Sequence, residues 1–136
     1  MIFVFDENFS PRLAEGLELL EKSIPKPKIS VDVKSALGLM GKRGASDEEI
    51  ILKLNGRGVI ITRDKDFKQI KLTGKAIQDT GTKVLFCKAS KKMVFFWDIV
   101  IGIVTHWEKI KEEMSKDSPP YIYEFDVKGR IKECHL

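Results

Sequence analysis

The chain has 136 residues, with 24 Lys+Arg against 20 Asp+Glu for a formal net charge of +4. Hydrophobic residues make up 43% and charged residues 32%, which excludes a disordered chain and fits one domain able to bury a core without staples. Two cysteines, Cys87 and Cys134, are too few for a disulfide scaffold or a zinc cluster of their own.

Residues 2–5 are a short apolar run that predicts a buried strand. No basic leader or small-residue cleavage site precedes it. Ser10-Pro11 predicts a helix start, with Ser as N-cap and Pro at the first helical position, where its missing N–H costs nothing. Leu13, Ala14, Leu17 and Leu20 then give that helix one apolar face. Pro25 and Pro27 close it with a stiff connection. Residues 29–33 alternate apolar and polar, as a strand does, and 38–44 read as a loop.

Ser46 with Glu49 three residues on predicts a capping box, opening a helix with Ile50, Ile51 and Leu54 inward and a stop at Asn55-Gly56 or Gly58. Residues 59–62 and 84–87 read as further buried strands, and 93–114 as one long apolar helix. That helix is interrupted by Asp98 and His106, and its apolar part is shorter than the ~18 residues of a membrane span. Residues 121–127 and 131–135 flank a Lys128-Gly129 turn as a C-terminal β-hairpin. Strand and helix alternate without repeat or linker. The expectation is a single cytoplasmic domain over 1–136, three-layer α/β/α with a mostly parallel central sheet and no membrane contact.

Charge is segregated along the chain. Residues 1–20 carry a net −3, whereas 68–92 carry seven lysines against Asp79 alone. The lysines read equally as a solvated edge or as a polyanion-binding patch.

Three acidic clusters fall at element junctions: Asp6-Glu7-Asn8 after the first strand, Asp47-Glu48-Glu49 at a helix start, and Asp64-Lys65-Asp66 after the third strand. In an open parallel sheet, ligands bind beyond the carboxyl ends of the strands, where such junctions meet. Taken singly, Asp47 also reads as part of a cap and Asp64 and Asp66 as turn residues. Asp6, directly after an apolar strand, needs a partner. Converging carboxylates repel unless a cation lies between them, and an oxygen-only set suits Mg²⁺ or Mn²⁺. A metal-activated water beside a phosphate would then give phosphodiester hydrolysis.

Phe5-Asp6-Glu7-Asn8 with Ser10-Pro11, then residues 44–50 (Gly-Ala-Ser-Asp-Glu-Glu-Ile) and 61–67 (Ile-Thr-Arg-Asp-Lys-Asp-Phe), resemble PIN-like domains, and more closely the small branch related to VapC-type toxins. The resemblance covers roughly the first half of the chain. It implies a Mg²⁺- or Mn²⁺-dependent endoribonuclease, the toxin of a toxin–antitoxin pair, with RNA, an antitoxin protein and a second copy of the chain as partners. It also implies Asp6, Asp47 and Asp64 as metal ligands, with Asp66 as a further catalytic acid and Asn8, Glu48 and Thr62 in support. Arg63, Lys65, Lys88, Lys91 and Lys92 are expected to contact RNA phosphates. One departure stands out. About forty residues separate Asp6 from Asp47, so the helical pair that carries a further Glu in larger PIN domains is absent. Glu7, Glu48 and Glu49 are its candidate substitutes, and the alternative is an inactive PIN-like module that binds RNA or protein.

Two other Asp-rich folds fit less well. Haloacid-dehalogenase-like phosphatases need Asp-x-Asp, and position 8 is Asn. In a response-regulator receiver Asp47 would be idle. Phe95, Phe96, Trp97, Val100, Ile101, Val104 and Trp107 read as core, and any face of theirs left exposed as a dimer or antitoxin surface. Cys87 reads as a small buried hydrophobe. His106 and His135 read as structural or surface residues.

Overall fold

A computed structural model describes residues 1–63, 71–88, 96–116 and 121–134. Among these, six strands form one sheet and six helices cover it. The strands are β1 (Ile2–Phe5), β2 (Asp32–Ser35), β3 (Gly58–Thr62), β4 (Lys83–Lys88), β5 (Ile122–Asp126) and β6 (Ile131–Cys134), in the order β2-β1-β3-β4-β5-β6. The first five are parallel and β6 returns antiparallel on β5, the predicted hairpin. Every residue of β3 is buried, as a central parallel strand with both faces covered requires.

Strand alternation sorts the core into two layers. Phe3, Phe5, Val33, Val59, Ile61, Leu85, Cys87, Tyr123 and Phe125 point to one side. There they meet α1 (Pro11–Lys22), α5 (Phe96–Thr105) and α6 (Trp107–Met114). Val4, Ile60 and Val84 point to the other, against α2 (Ala36–Met40), α3 (Asp47–Leu54) and α4 (Lys71–Thr80). This is the three-layer α/β/α arrangement expected from the sequence. The β3–α4–β4 and β4–α5–α6–β5 connections step the same way across the sheet yet place their helices on opposite faces. These two crossovers therefore have opposite hand, against the usual uniformity of such units.

Several predicted elements are corrected. In α1 the fourth inward position is Glu21, not Leu20, which is 59% exposed. Leu13, Leu17 and Glu21 fall at i, i+4, i+8, and Glu21 stays buried because Trp107 Nε1 and Lys111 Nζ both donate to it at 2.7 Å. The second strand lies three residues later than 29–33, because its register is set by pairing Asp32 with Ile2. Part of the predicted loop 38–44 is helix α2, whose N-cap Ser35 accepts from the Gly38 N–H at 3.0 Å and whose end is Gly41 at φ 71°. Helix α4 has no counterpart in the predicted elements. Its apolar signal is sparse, Leu72 and then Ala76 and Ile77, with Thr73 and Gly74 of low helix propensity between them.

The long helix predicted over 93–114 is two helices broken at His106, where the backbone turns to φ −105°, ψ 16°. The imidazole lies against Phe125, ring centroids 6.1 Å apart, and fills the space above Gly129. A Cβ on Gly129 would stand 2.4 Å from that ring. The break swings Trp107, Ile110 and Met114 into the core and leaves Phe96, Trp97, Ile101 and Val104 of α5 exposed, not buried as predicted. Residues 93–95, 117–120 and His135 lie outside the described residues.

At Gly58 there is no room for a side chain between β3 and β1. A Cβ there would lie 2.3 Å from the Ile2 carbonyl oxygen and 3.0 Å from Leu54 Cδ2. Backbone in a parallel ladder cannot yield that distance. Gly58→Ala is therefore expected to lower unfolding free energy by about 2–3 kcal/mol, read from the midpoint of urea denaturation.

Candidate active-site cleft

Parallel strands carry their carboxyl ends to one edge of the sheet. Register pairs Phe5 with Ser35 on one side and with Ile61 on the other, so Asp6 emerges beside Thr62. The Asp6 N–H continues the ladder to the Ile61 carbonyl at 3.0 Å. From β1 the chain leaves toward α1 on one face, whereas α2 follows β2 and α4 follows β3 on the other. A crevice opens where outgoing connections diverge in this way. Asp6 sits at its base.

A cleft of about 330 Å³ occupies this place, lined among others by Asp6, Glu7, Phe9, Ser35, Leu37 and Arg43. Asp6 is 4% exposed, yet it is part of the cleft lining. Asn8 fixes it: the backbone N–H donates to Oδ1 at 3.0 Å and Nδ2 donates to Oδ2 at 3.3 Å. The Phe9 N–H donates to the Asp6 carbonyl at 3.1 Å, closing the turn. The carboxylate is thus held by a turn built from its own neighbours.

Thr62 is fully buried at the end of β3. Arg63 follows it and lays its guanidinium over the Phe9 ring, 5.9 Å from the centroid, a cation–π contact. Behind them, burial pushes the Cys87 thiol up to about 12, with the Asp6 charge adding to the rise and Arg63 opposing it. Cys87 is thus a protonated, apolar backing to the site, the buried hydrophobe expected.

Asp47 opens α3 and is half-buried. Ser46 Oγ accepts from the Glu49 N–H at 3.1 Å, one half of the predicted capping box. The other half is not made, since Glu49 pairs with Lys42 at 3.1 Å. Glu48 stands in the same first turn, and Lys88 is exposed at the end of β4, on the same sheet edge two strands from Asp6. The lining of the cleft among the described residues does not include Asp47. Asp64, Lys65, Asp66, Lys91 and Lys92 lie outside the described residues. Among those described, no three His, Cys, Asp or Glu side chains gather as a metal group.

Sequence reasoning named Glu7 only as a candidate substitute for the further Glu of larger PIN domains, and it missed Arg43. Glu7 accepts a hydrogen bond from the Gly44 N–H, joining the β1 end to the loop before α3. Arg43, next to Gly44, lines the cleft with Asp6. The signal was there: a basic pair, Lys42-Arg43, set between glycines just before an acidic helix start.

A mostly parallel α/β/α sheet with a held carboxylate at its switch point defines an α/β domain of doubly wound architecture. The chain belongs to the PIN-like domain family, whose model matches residues 1–89. The match spans β1 through β4, and α5, α6, β5 and β6 lie beyond it, β5 and β6 extending the same sheet. No curated protein and no solved structure matches the chain. No helix among the described residues is long and apolar enough to cross a membrane.

Proposed function

We propose that the chain is a Mg²⁺- or Mn²⁺-dependent endoribonuclease of PIN-like type, acting as the toxin of a toxin–antitoxin pair. The observation that carries this reading is Asp6: a buried carboxylate, fixed by Asn8, opening into the cleft at the switch point. Membership of the PIN-like family supports nuclease chemistry. Among the described cleft residues there is no His or Cys and the acidic donors are oxygens, which suits a hard divalent cation.

Asp6 would hold the ion together with Asp47 and Asp64, with Asp66 nearby. When bound, the ion supplies Lewis-acid stabilisation of the phosphoryl oxygens and an activated water. The chain's own part is to fix and to shield. Asn8 prevents the Asp6 carboxylate from rotating away, and Thr62 and Cys87 exclude water behind it. Arg63 and Lys88, with Lys65, Lys91 and Lys92, would neutralise RNA phosphates.

The test is incubation with mixed RNAs in Mn²⁺ and then in excess chelator. Cleavage in Mn²⁺ that stops in chelator is expected. Absence of cleavage in every divalent metal would overturn the enzyme reading.

A second reading has one observation in its favour. Phe96, Trp97, Ile101 and Val104 leave an apolar face on α5, suited to a protein partner such as an antitoxin or a second copy. A binding module without catalysis would retain RNA or protein binding and show no cleavage to lose.

A further inference from the structure

We propose that Arg43 is the residue that positions the nucleic-acid substrate across from Asp6, and that Glu7 is the strap holding it there. This rests on the nuclease reading above. Arg43 and Asp6 line one cleft of about 330 Å³ from opposite chain segments: Asp6 ends β1, whereas Arg43 belongs to the α2–α3 loop. A phosphodiester chain entering the cleft therefore meets both a carboxylate and a guanidinium along its lining.

The nearby cations differ in what they are free to do. Lys42 is paired with Glu49 at 3.1 Å, and Arg63 lies over the Phe9 ring. Arg43 makes no ion pair or hydrogen bond among the described residues, so its five donors stay available to the cleft. A planar guanidinium grips phosphate through two parallel N–H donors, whereas a lysine acts as a point charge.

The loop that carries Arg43 is anchored at three points. The Gly41 N–H caps α2 through the Leu37 carbonyl at 2.8 Å, and Ser46 caps α3. Between them, Glu7 receives the Gly44 N–H from 37 residues away. Glu7 holds the residue adjacent to Arg43, which ties the β1 end to the Arg43 loop. Glu7 thus has a positioning task and is not an ion ligand.

The experiment compares Arg43→Ala, Arg43→Lys, Glu7→Ala and Glu7→Gln with wild type on a single-stranded RNA oligonucleotide in Mn²⁺. Binding of the same RNA is measured in chelator against salt, and Mn²⁺ binding by calorimetry. Arg43→Ala is expected to raise KM about tenfold with a far smaller change in kcat, and to reduce the salt slope by about 0.7, the loss of one phosphate contact on a single strand. Its Mn²⁺ affinity stays at the wild-type value. Arg43→Lys restores the salt slope and only part of KM.

Glu7→Gln keeps an acceptor for the Gly44 N–H and retains the wild-type KM, whereas Glu7→Ala raises it in the direction of Arg43→Ala. Wild-type KM and salt slope in Arg43→Ala would overturn the proposal. Loss of Mn²⁺ affinity in Glu7→Gln would overturn the strap, since Glu7 would then be a metal ligand. Should wild type bind RNA without cleaving it, the nuclease reading fails, and the salt slope still decides Arg43.

Discussion

Asp6→Asn is expected to abolish metal-dependent RNA cleavage, lowering kcat/KM by about 10³-fold, while leaving the fold in place. The fold survives because Asn has nearly the same shape and keeps an oxygen to accept the Asn8 N–H that now meets Oδ1. The weaker contact to Asn8 Nδ2 is lost, since two amide N–H groups would then face each other. Activity does not survive, because a neutral amide offers a divalent ion one weak oxygen where a carboxylate offers a charge. A thousandfold corresponds to about 4 kcal/mol of transition-state stabilisation, within what a metal's Lewis acidity supplies. The decisive pairing is circular dichroism with single-turnover cleavage in Mn²⁺. A variant with native spectrum and native cleavage would remove Asp6 from the chemistry.

The second large effect lies far from the cleft. Lys111→Met is expected to destabilise the protein by about 3–5 kcal/mol, a fall in melting temperature of about 10–15 °C. Lys111 is fully buried on α6, and its ammonium donates to Glu21 Oε1 at 2.7 Å and to the Ile29 carbonyl at 3.0 Å. Glu108 lies 2.9 Å away. Removing the cation strands the Glu21 carboxylate in the core with only the Trp107 indole N–H for company. Replacing both, as Glu21→Leu with Lys111→Met, should recover most of the loss, since no lone charge is left buried. A shortfall of about 1 kcal/mol would remain from the indole N–H without an acceptor.

The same group predicts alkaline sensitivity. Burial alone would lower the Lys111 pKa, but hydrogen bonds and charge from Glu21 and Glu108 outweigh it, and the net displacement is upward from 10.5. A lysine raised on folding contributes its stability in full below the unfolded value and loses it as pH rises through the folded one. Unfolding free energy should therefore hold below about pH 10.5 and decline above it. In Lys111→Met that alkaline decline should be smaller.

How far the sequence could be read depended on whether each signal was local. The helix caps were local: Ser10 and Ser46 sit where a short hydroxyl meets a backbone N–H two or three residues on, and both predicted starts hold. The strands ending at Phe5 and Thr62 were legible as apolar runs, and with them the placing of Asp6 and Thr62 at the carboxyl edge. Helix α4 was not, because Thr73 and Gly74 interrupt its few apolar residues, Leu72, Ala76 and Ile77. Leu20 and Glu21 show the limit sharply. Hydropathy favours Leu20 inward, and a lysine 90 residues away reverses the choice. The break at His106 has the same origin, since the turn at Gly129 that its ring fills is a distant part of the chain.

The amino-acid sequence by itself determined the alternation of strand and helix, the caps, and the acids at the junctions, because each rests on hydrogen bonds and side-chain periodicity within a few residues. Tertiary structure decided which junctions share a cleft. Parallel pairing brought Ser35 and Thr62 to either side of the β1 end, and the Glu7 bond to Gly44 ties the loop that carries Arg43 to the same cleft. Register between separate strands and a hydrogen bond spanning 37 residues depend on the packed whole, which no local pattern encodes.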